Sequence, residues 1–240
     1  ASKAFYLQIT DKLRTMEAEN NIVYRDELDK ARKAVDGLAR DGMSTTIDAY
    51  WEVCCGDVLV AEENMRNQRR TWENASLAKE LLDIAAYLEG YDHMLDNLHT
   101  AISRMADITY EHPGLKLRLL EFDLGVLRRI EARIGHDLDL CEHIMSEISF
   151  YRRNIERADK GDFGNIEQRG HLKHDPIEWS AEYESIIDEA ERKIDSLLDD
   201  HPRGMGFCFA YWSTKARVLH EDYGIVWRSP AIMNPGVIFD

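Results

Sequence analysis

The chain is 240 residues long, 44% hydrophobic and 31% charged, and its 30 Lys and Arg against 45 Asp and Glu leave a formal net charge of −15. That length can bury a sizeable core, while so acidic a body repels phosphate backbones and disfavours direct nucleic-acid binding. No apolar run is long enough to span a bilayer and no leader with a basic start and apolar middle is visible, so the expectation is a cytoplasmic protein with no membrane contact.

In chain order, Phe5, Ile9, Leu13 and Met16 mark a first short helix, and Leu28, Ala31, Val35 and Leu38 a second that ends near Gly42. A long helix over 44–73 follows, with Ile47, Trp51, Cys54, Val58, Ala61, Met65, Gln68 and Trp72 at alternating spacings of four and three. Asn74 is the expected cap of the next. Its apolar positions Leu77, Leu81, Ile84, Leu88, Tyr91, Leu95, Leu98, Ile102 and Met105 keep the same rhythm without a miss. A 3.5-residue repeat holds one stripe toward a partner helix, so this reads as a coiled-coil or bundle seam. His112-Pro113-Gly114 ends it, with Pro113 also suited to the first turn of the following helix.

That helix is predicted over 115–157, with the seam Leu117, Leu120, Leu124, Leu127, Glu131, Ile134, Leu138, Cys141, Met145, Ile148, Arg152 and Ile155. Glu131 and Arg152 interrupt it as polar residues of the kind that fix register. Three successive helices of about 30 residues, each about 45 Å long, predict an up-down-up rod. The glycine-bearing stretch 159–174 loses the period and reads as a loop. Asp175-Pro176-Ile177-Glu178 then has the cap, Pro and acid of a helix start, leading to Tyr183, Ile187, Ala190, Ile194 and Leu197. A last helix over 204–222 stops at Gly224.

The end of the chain, YGIVWRSPAIMNPGVIFD, cannot continue that helix because Pro230 and Pro235 interrupt it. It is expected to be an extended apolar strap over its own helices or a segment that docks on a partner. The fold class is therefore all-α: an elongated antiparallel helical bundle with coiled-coil hairpins and a non-helical apolar C-terminal strap. Residues 1–158 form the long-helix bundle, 159–174 a loop, and 175–240 a C-terminal helical hairpin with its tail.

Catalytic patterns are missing. Cys54, Cys55, Cys141 and Cys208 lack zinc-site spacing and read as reduced thiols. There is no Glu-x-x-His, and the seams turn His93, His136 and His143 outward, with His99 the remaining member of a His93-Asp96-His99 series. Gly161, Gly164 and Gly170 lack the Lys-Ser/Thr of a phosphate loop, and no serine has a nucleophile-elbow context. Acid pairs such as Glu62–Glu63 and Asp199–Asp200 read as solvated. The expectation is a protein that is not an enzyme and carries no cofactor or metal.

What remains is interaction. Residues 1–202 hold 26 basic against 42 acidic residues, whereas 203–240 hold four against three. The less acidic C-terminal part concentrates aromatics, and Phe207, Phe209, Tyr211, Trp212, Trp227 and Phe239 are the candidate partner-binding residues. The expected function is a helical adaptor, scaffold or regulatory subunit that binds a protein partner, with self-association through a remaining apolar face also expected. A second reading is an acidic mimic of nucleic acid that inhibits a DNA- or RNA-binding or defence complex with a basic surface. A third is a metal-binding helical-bundle enzyme using His93, His99, His136 or His143.

Overall fold

A computed structural model of the chain describes residues 24–239; the segment bearing Phe5, Ile9, Leu13 and Met16 lies outside the described residues. Among the described residues the fold is all-α, without strands. The helices are α1 (Tyr24–Val35), α2 (Ser44–Asn67), α3 (Asn74–Leu88), α4 (Leu95–Ile108), α5 (Pro113–Ile134), α6 (Asp139–Asp159), α7 (Ala181–Leu197), α8 (Phe207–Tyr223) and the single turn α9 (Pro230–Met233). Neighbours pack in order: α1 on α2, α2 on α3, α4 on α5, α5 on α6 and α7 on α8, with α4 also against α2 and α5 against α3. Short links between helices that pack along their length make them antiparallel.

Two of the expected long helices are each broken in two. The first breaks after Leu88, where Gly90 weakens the helix and Tyr91 becomes extended (φ −115°, ψ 110°). The hydroxyls of Tyr87 and Tyr91 both donate to the Asp41 carbonyl, which ties the break to the α1–α2 link. A 3₁₀ turn, Asp92–Met94, then restarts the helix in phase, so Leu77, Leu81, Ile84, Leu88, Leu95, Leu98, Ile102 and Met105 are all buried as the seam requires. The second breaks at Gly135, whose left-handed backbone (φ 77°) ends α5. Glu131 completes that turn: one carboxylate oxygen accepts the Leu138 N–H at 2.7 Å and the other holds Arg128 at 2.8 Å. This residue is a turn clasp, and its carboxyl is pulled down to about 2 by the Leu138 N–H, then by the Cys141 thiol and Arg128.

Folding the second rod back on itself changes which side chains are covered. In α5 the buried positions include Leu119, Val126 and Ile130, while the predicted Leu117 and Leu124 are half-buried and Ile134 is 40% exposed. In α6, Met145 lies at the surface, and Arg152, expected in the seam, is exposed and pairs with Glu121 at 2.6 Å. The helix predicted over 44–73 stops at Asn67 because Gln68 and Arg70 are left-handed (φ 50° and 57°), and Trp72 falls in a separate 3₁₀ turn, Thr71–Glu73. Asn74 does not cap α3. It is buried, donates to the Ala61 carbonyl at 3.1 Å and accepts from Asn64 at 2.9 Å.

The buried apolar side chains form two clusters. The larger is built from α1 to α6, the smaller from α7, α8 and the first residues of the tail. Asp175 caps a 3₁₀ turn, Pro176–Trp179, instead of a helix; Ser180 caps α7 by accepting the Tyr183 N–H at 3.2 Å. On α7 the buried row ends at Leu198, and Leu197 is 47% exposed. Gly224 closes α8 in the left-handed region (φ 70°) as expected. The tail is extended apart from α9 and lies on its own hairpin through buried Ile225 and Trp227. At about 25 cal/mol per Å², covering about 200 Å² of tryptophan contributes about 5 kcal/mol before entropy is counted. No helix among the described residues is long and apolar enough to cross a membrane.

Candidate functional site

Helical phase divides the aromatic group of α8 and the tail into two sets. Phe207 and Tyr211, four apart, face the smaller cluster, and Trp227 roofs it; Phe207 and Trp227 are buried and Tyr211 half-buried. Phe209 and Trp212, three apart, lie on the other flank, where Trp212 stands edge-on to Phe209 (5.6 Å) and to Phe239 (5.0 Å). Phe209 is 49% exposed, and beside Phe239 the chain presents Val237 and Ile238, the latter 91% exposed. Of the six predicted contact residues Phe209 alone is exposed: Trp212 is half-buried and packs on the smaller cluster as Tyr211 does, Phe239 is half-buried against Trp212, and Phe207 and Trp227 are interior.

One turn beyond Tyr211, the inward face carries Lys215, whose side chain is 2% exposed. Its ammonium meets Glu111 of the α4–α5 link at 2.5 Å and Glu191 of α7 at 2.8 Å. The rings of Trp227, Tyr211 and Tyr183 lie 5.3, 5.5 and 5.8 Å from it, within cation–π reach. Tyr211 donates to Glu191 at 2.6 Å and the Trp227 indole N–H to Glu178 at 2.6 Å. Burial opposes the Lys215 charge, but Glu111 and then Glu191 outweigh it and raise the ammonium's pKa. The same burial pushes the Glu111 carboxyl above its ordinary range, with Lys215 pulling the other way.

Glu191 belongs to a row of carboxylates on α7 and just past its end: Glu184, Asp188, Glu191, Asp195 and Asp199. The row is offset by one residue from the buried apolar row Tyr183, Ile187, Ala190, Ile194 and Leu198, so it lies along one flank of the same helix. That flank meets the larger bundle. Glu184 accepts the Gly114 and Leu115 N–H groups at 2.8 and 2.9 Å. These are the free donors of the first turn of α5, since Pro113 has none. Asp188 sits 2.8 Å from His112 Nε2. Asp195 accepts the Arg70 N–H at 2.9 Å, and Asp199 binds the Arg69 guanidinium at 3.0 Å. Between them Arg192 stacks on Trp72, 4.3 Å from the ring centre. Asp199 was expected to be merely solvated; it is exposed and paired.

Between the two apolar clusters lies a recess of about 20 Å³ walled by Trp72, Tyr110, Glu111, His112, Asp188 and Glu191. Sites for drug-sized ligands occupy about 300–1,000 Å³, so this one has room for little more than a water. His93, His136 and His143 are exposed, but His99 is half-buried and its Nδ1 is 2.8 Å from Asp123 of α5, a contact the outward-facing expectation did not include. Burial raises the Asp123 carboxyl, against the pull of His99. Among the described residues no three His, Cys, Asp or Glu side chains converge as metal ligands. None of the four cysteines is in a disulfide; Cys54 and Cys141 are buried and Cys55 and Cys208 half-buried.

The acidic row of α7 and buried Lys215 escaped the sequence reading. The row had a signal: acids spaced four, three, four and four apart, one step from an apolar row of the same rhythm. A charge row on a helix ordinarily means a solvated face, and only the position of Gly114, His112 and Arg69 in space turns it inward. No protein-family model, curated protein or solved structure matches this chain.

Proposed function

We propose that the chain is a helical protein–protein interaction protein, an adaptor, scaffold or regulatory subunit, that docks its partner on the rim formed by Phe209, Trp212 and Phe239 with Val237 and Ile238. The observation that carries this reading is an exposed apolar rim of Phe209, Val237 and 91%-exposed Ile238, backed by the half-buried, edge-on rings of Trp212 and Phe239. Aromatic side chains fixed in place lose little conformational entropy on binding, and such residues dominate interface energies. The acidic-mimic reading gains less support: the regular row of carboxylates that would imitate phosphates is engaged within the chain.

The test compares proteins co-purified from the native source with the wild-type chain and with Phe209→Ser/Ile238→Asp, in parallel with melting curves. A protein enriched by the wild type, depleted by the variant and seen while melting is unchanged supports the reading. Identical recoveries with both chains refute it.

A further inference from the structure

We propose that the C-terminal hairpin with its tail, residues 181–239, is a hinged arm latched against the bundle by the acidic row of α7. The two apolar clusters have no residue in common. Along α7 the junction is made of carboxylates meeting N–H groups, a histidine, a guanidinium and a buried ammonium, with Arg192 on Trp72 as its aromatic contact. A polar junction of this kind between two separate cores favours relative motion of the parts.

The two ends of α7 differ. At its start, Trp179 packs on Phe150 (5.3 Å) and Tyr151 (5.0 Å) of α6, and Asp159 accepts the Ala181 N–H at 3.0 Å, right where the arm joins the chain. That is the hinge. At the far end, Asp195 and Asp199 hold Arg70 and Arg69 at the surface, where water and salt reach them. Beside the hinge the tail is bound to residues that precede the arm: Arg228 clasps Asp175 at 3.0 Å, Asn234 binds the Lys173 backbone at 2.8 and 2.9 Å, and Trp227 reaches Glu178.

Lys215 lets the latch open without stranding a charge. It has one carboxylate from each side, Glu111 from the bundle and Glu191 from the arm, so an opened arm keeps an ion pair of its own. Gly114 marks the latch in the backbone: a Cβ there would lie 2.7 Å from the Glu184 carboxylate. A side chain at 114 therefore requires the flexible Glu184 carboxylate to shift.

Amide exchange in the full chain tests this, because the Leu115 and Arg70 N–H groups are held by arm carboxylates at widely separated points of α7. Raising salt from 0.05 to about 1 M shortens the screening length from over 10 to about 3 Å. Protection at Leu115 and Arg70 is expected to fall together by about tenfold or more, the equivalent of losing one charge-assisted hydrogen bond. Amides inside α5 (Leu119) and inside α7 (Ile187) should stay protected. Glu184→Ala, which removes the acceptor at the start of α5, should lower protection at the distant Arg70 N–H as well at low salt. Loss at Leu115 with Arg70 unchanged would mean local fraying and overturn the arm. So would protection at both sites that disappears only with global unfolding. Neither outcome depends on a partner, so the arm and the docking rim stand or fall separately.

Discussion

Replacing Lys215 by Met keeps the length and most of the packing of the side chain and deletes its charge. Two carboxylates then face each other without a cation. Glu191, 4% exposed at the wall of the small recess, is nearly cut off from water and retains only the Tyr211 hydroxyl; Glu111, 22% exposed, has partial access. Removing one partner of a buried pair costs about 3–5 kcal/mol, most of it from the charge left behind. For a chain of this size that is about 2–4 °C per kcal/mol, a fall in melting temperature of about 6–20 °C. Calorimetry at pH 8 and pH 5 measures it, and the deficit should be smaller at pH 5. Burial already raises the Glu111 carboxyl, and with the ammonium gone the folded state binds protons that the unfolded chain releases, so stability falls as pH rises. Lys215→Met/Glu111→Gln/Glu191→Gln should recover most of the loss, because a neutral interior replaces a broken ion pair. A Lys215→Met deficit under about 1 kcal/mol, or one equal at both pH values, would refute the reasoning.

Asp57 is fully buried on α2 at 3.4 Å from Arg32, and burial, then the charge of Glu80, lift its carboxyl from 3.8 to about 9. The folded protein therefore holds a proton that the unfolded chain gives up, and stability should fall as pH rises through that window; Asp57→Asn should flatten the urea-midpoint profile between pH 5 and 9, and an unchanged slope would contradict it. Glu131 is the opposite case. Its carboxyl is lowered from 4.5 to about 2, so its contribution is complete above 4.5 and lost as pH falls toward 2. Acid titration of helicity should show Glu131→Gln weaker than wild type at pH 7 and converging with it near pH 2, and parallel curves would rule this out. Gly56 meets α1 so closely that an added Cβ would lie 2.9 Å from Leu28 Cδ1 and 3.3 Å from its Cα. Gly56→Ala should cost about 1–3 kcal/mol in urea unfolding, despite the better helix propensity of Ala; a gain in stability would show that α1 moves aside freely.

Much of the architecture was legible because it depends on local chemistry. Leu77 to Met105 read as one buried stripe, and it is buried, since the turn at Asp92–Met94 preserves the helical phase even though Gly90 and Tyr91 break the rod. The break itself was not legible: it depends on Asp41, some fifty residues away, receiving two tyrosine hydroxyls. In the second rod Gly135 is a breaking signal that the continuous apolar rhythm on either side of it masks. Once α5 and α6 fold back on each other, Leu119, Val126 and Ile130 are covered and Ile134 is left exposed.

The candidate site divides in the same way. The concentration of aromatics near the C-terminus is a property of composition, and helical spacing turns Phe209 outward while Phe207, Tyr211 and Trp212 meet the smaller cluster. Phe239 joining Trp212, and Glu111 joining Lys215 from 104 positions away, are consequences of folding. From its amino acids alone this protein was set to be helical, acidic and apolar at its end, because propensity, charge and periodicity act over a few residues. Which carboxylates face water and which clasp the bundle was decided by tertiary packing, because a charge takes its meaning from the groups brought within a few ångströms of it.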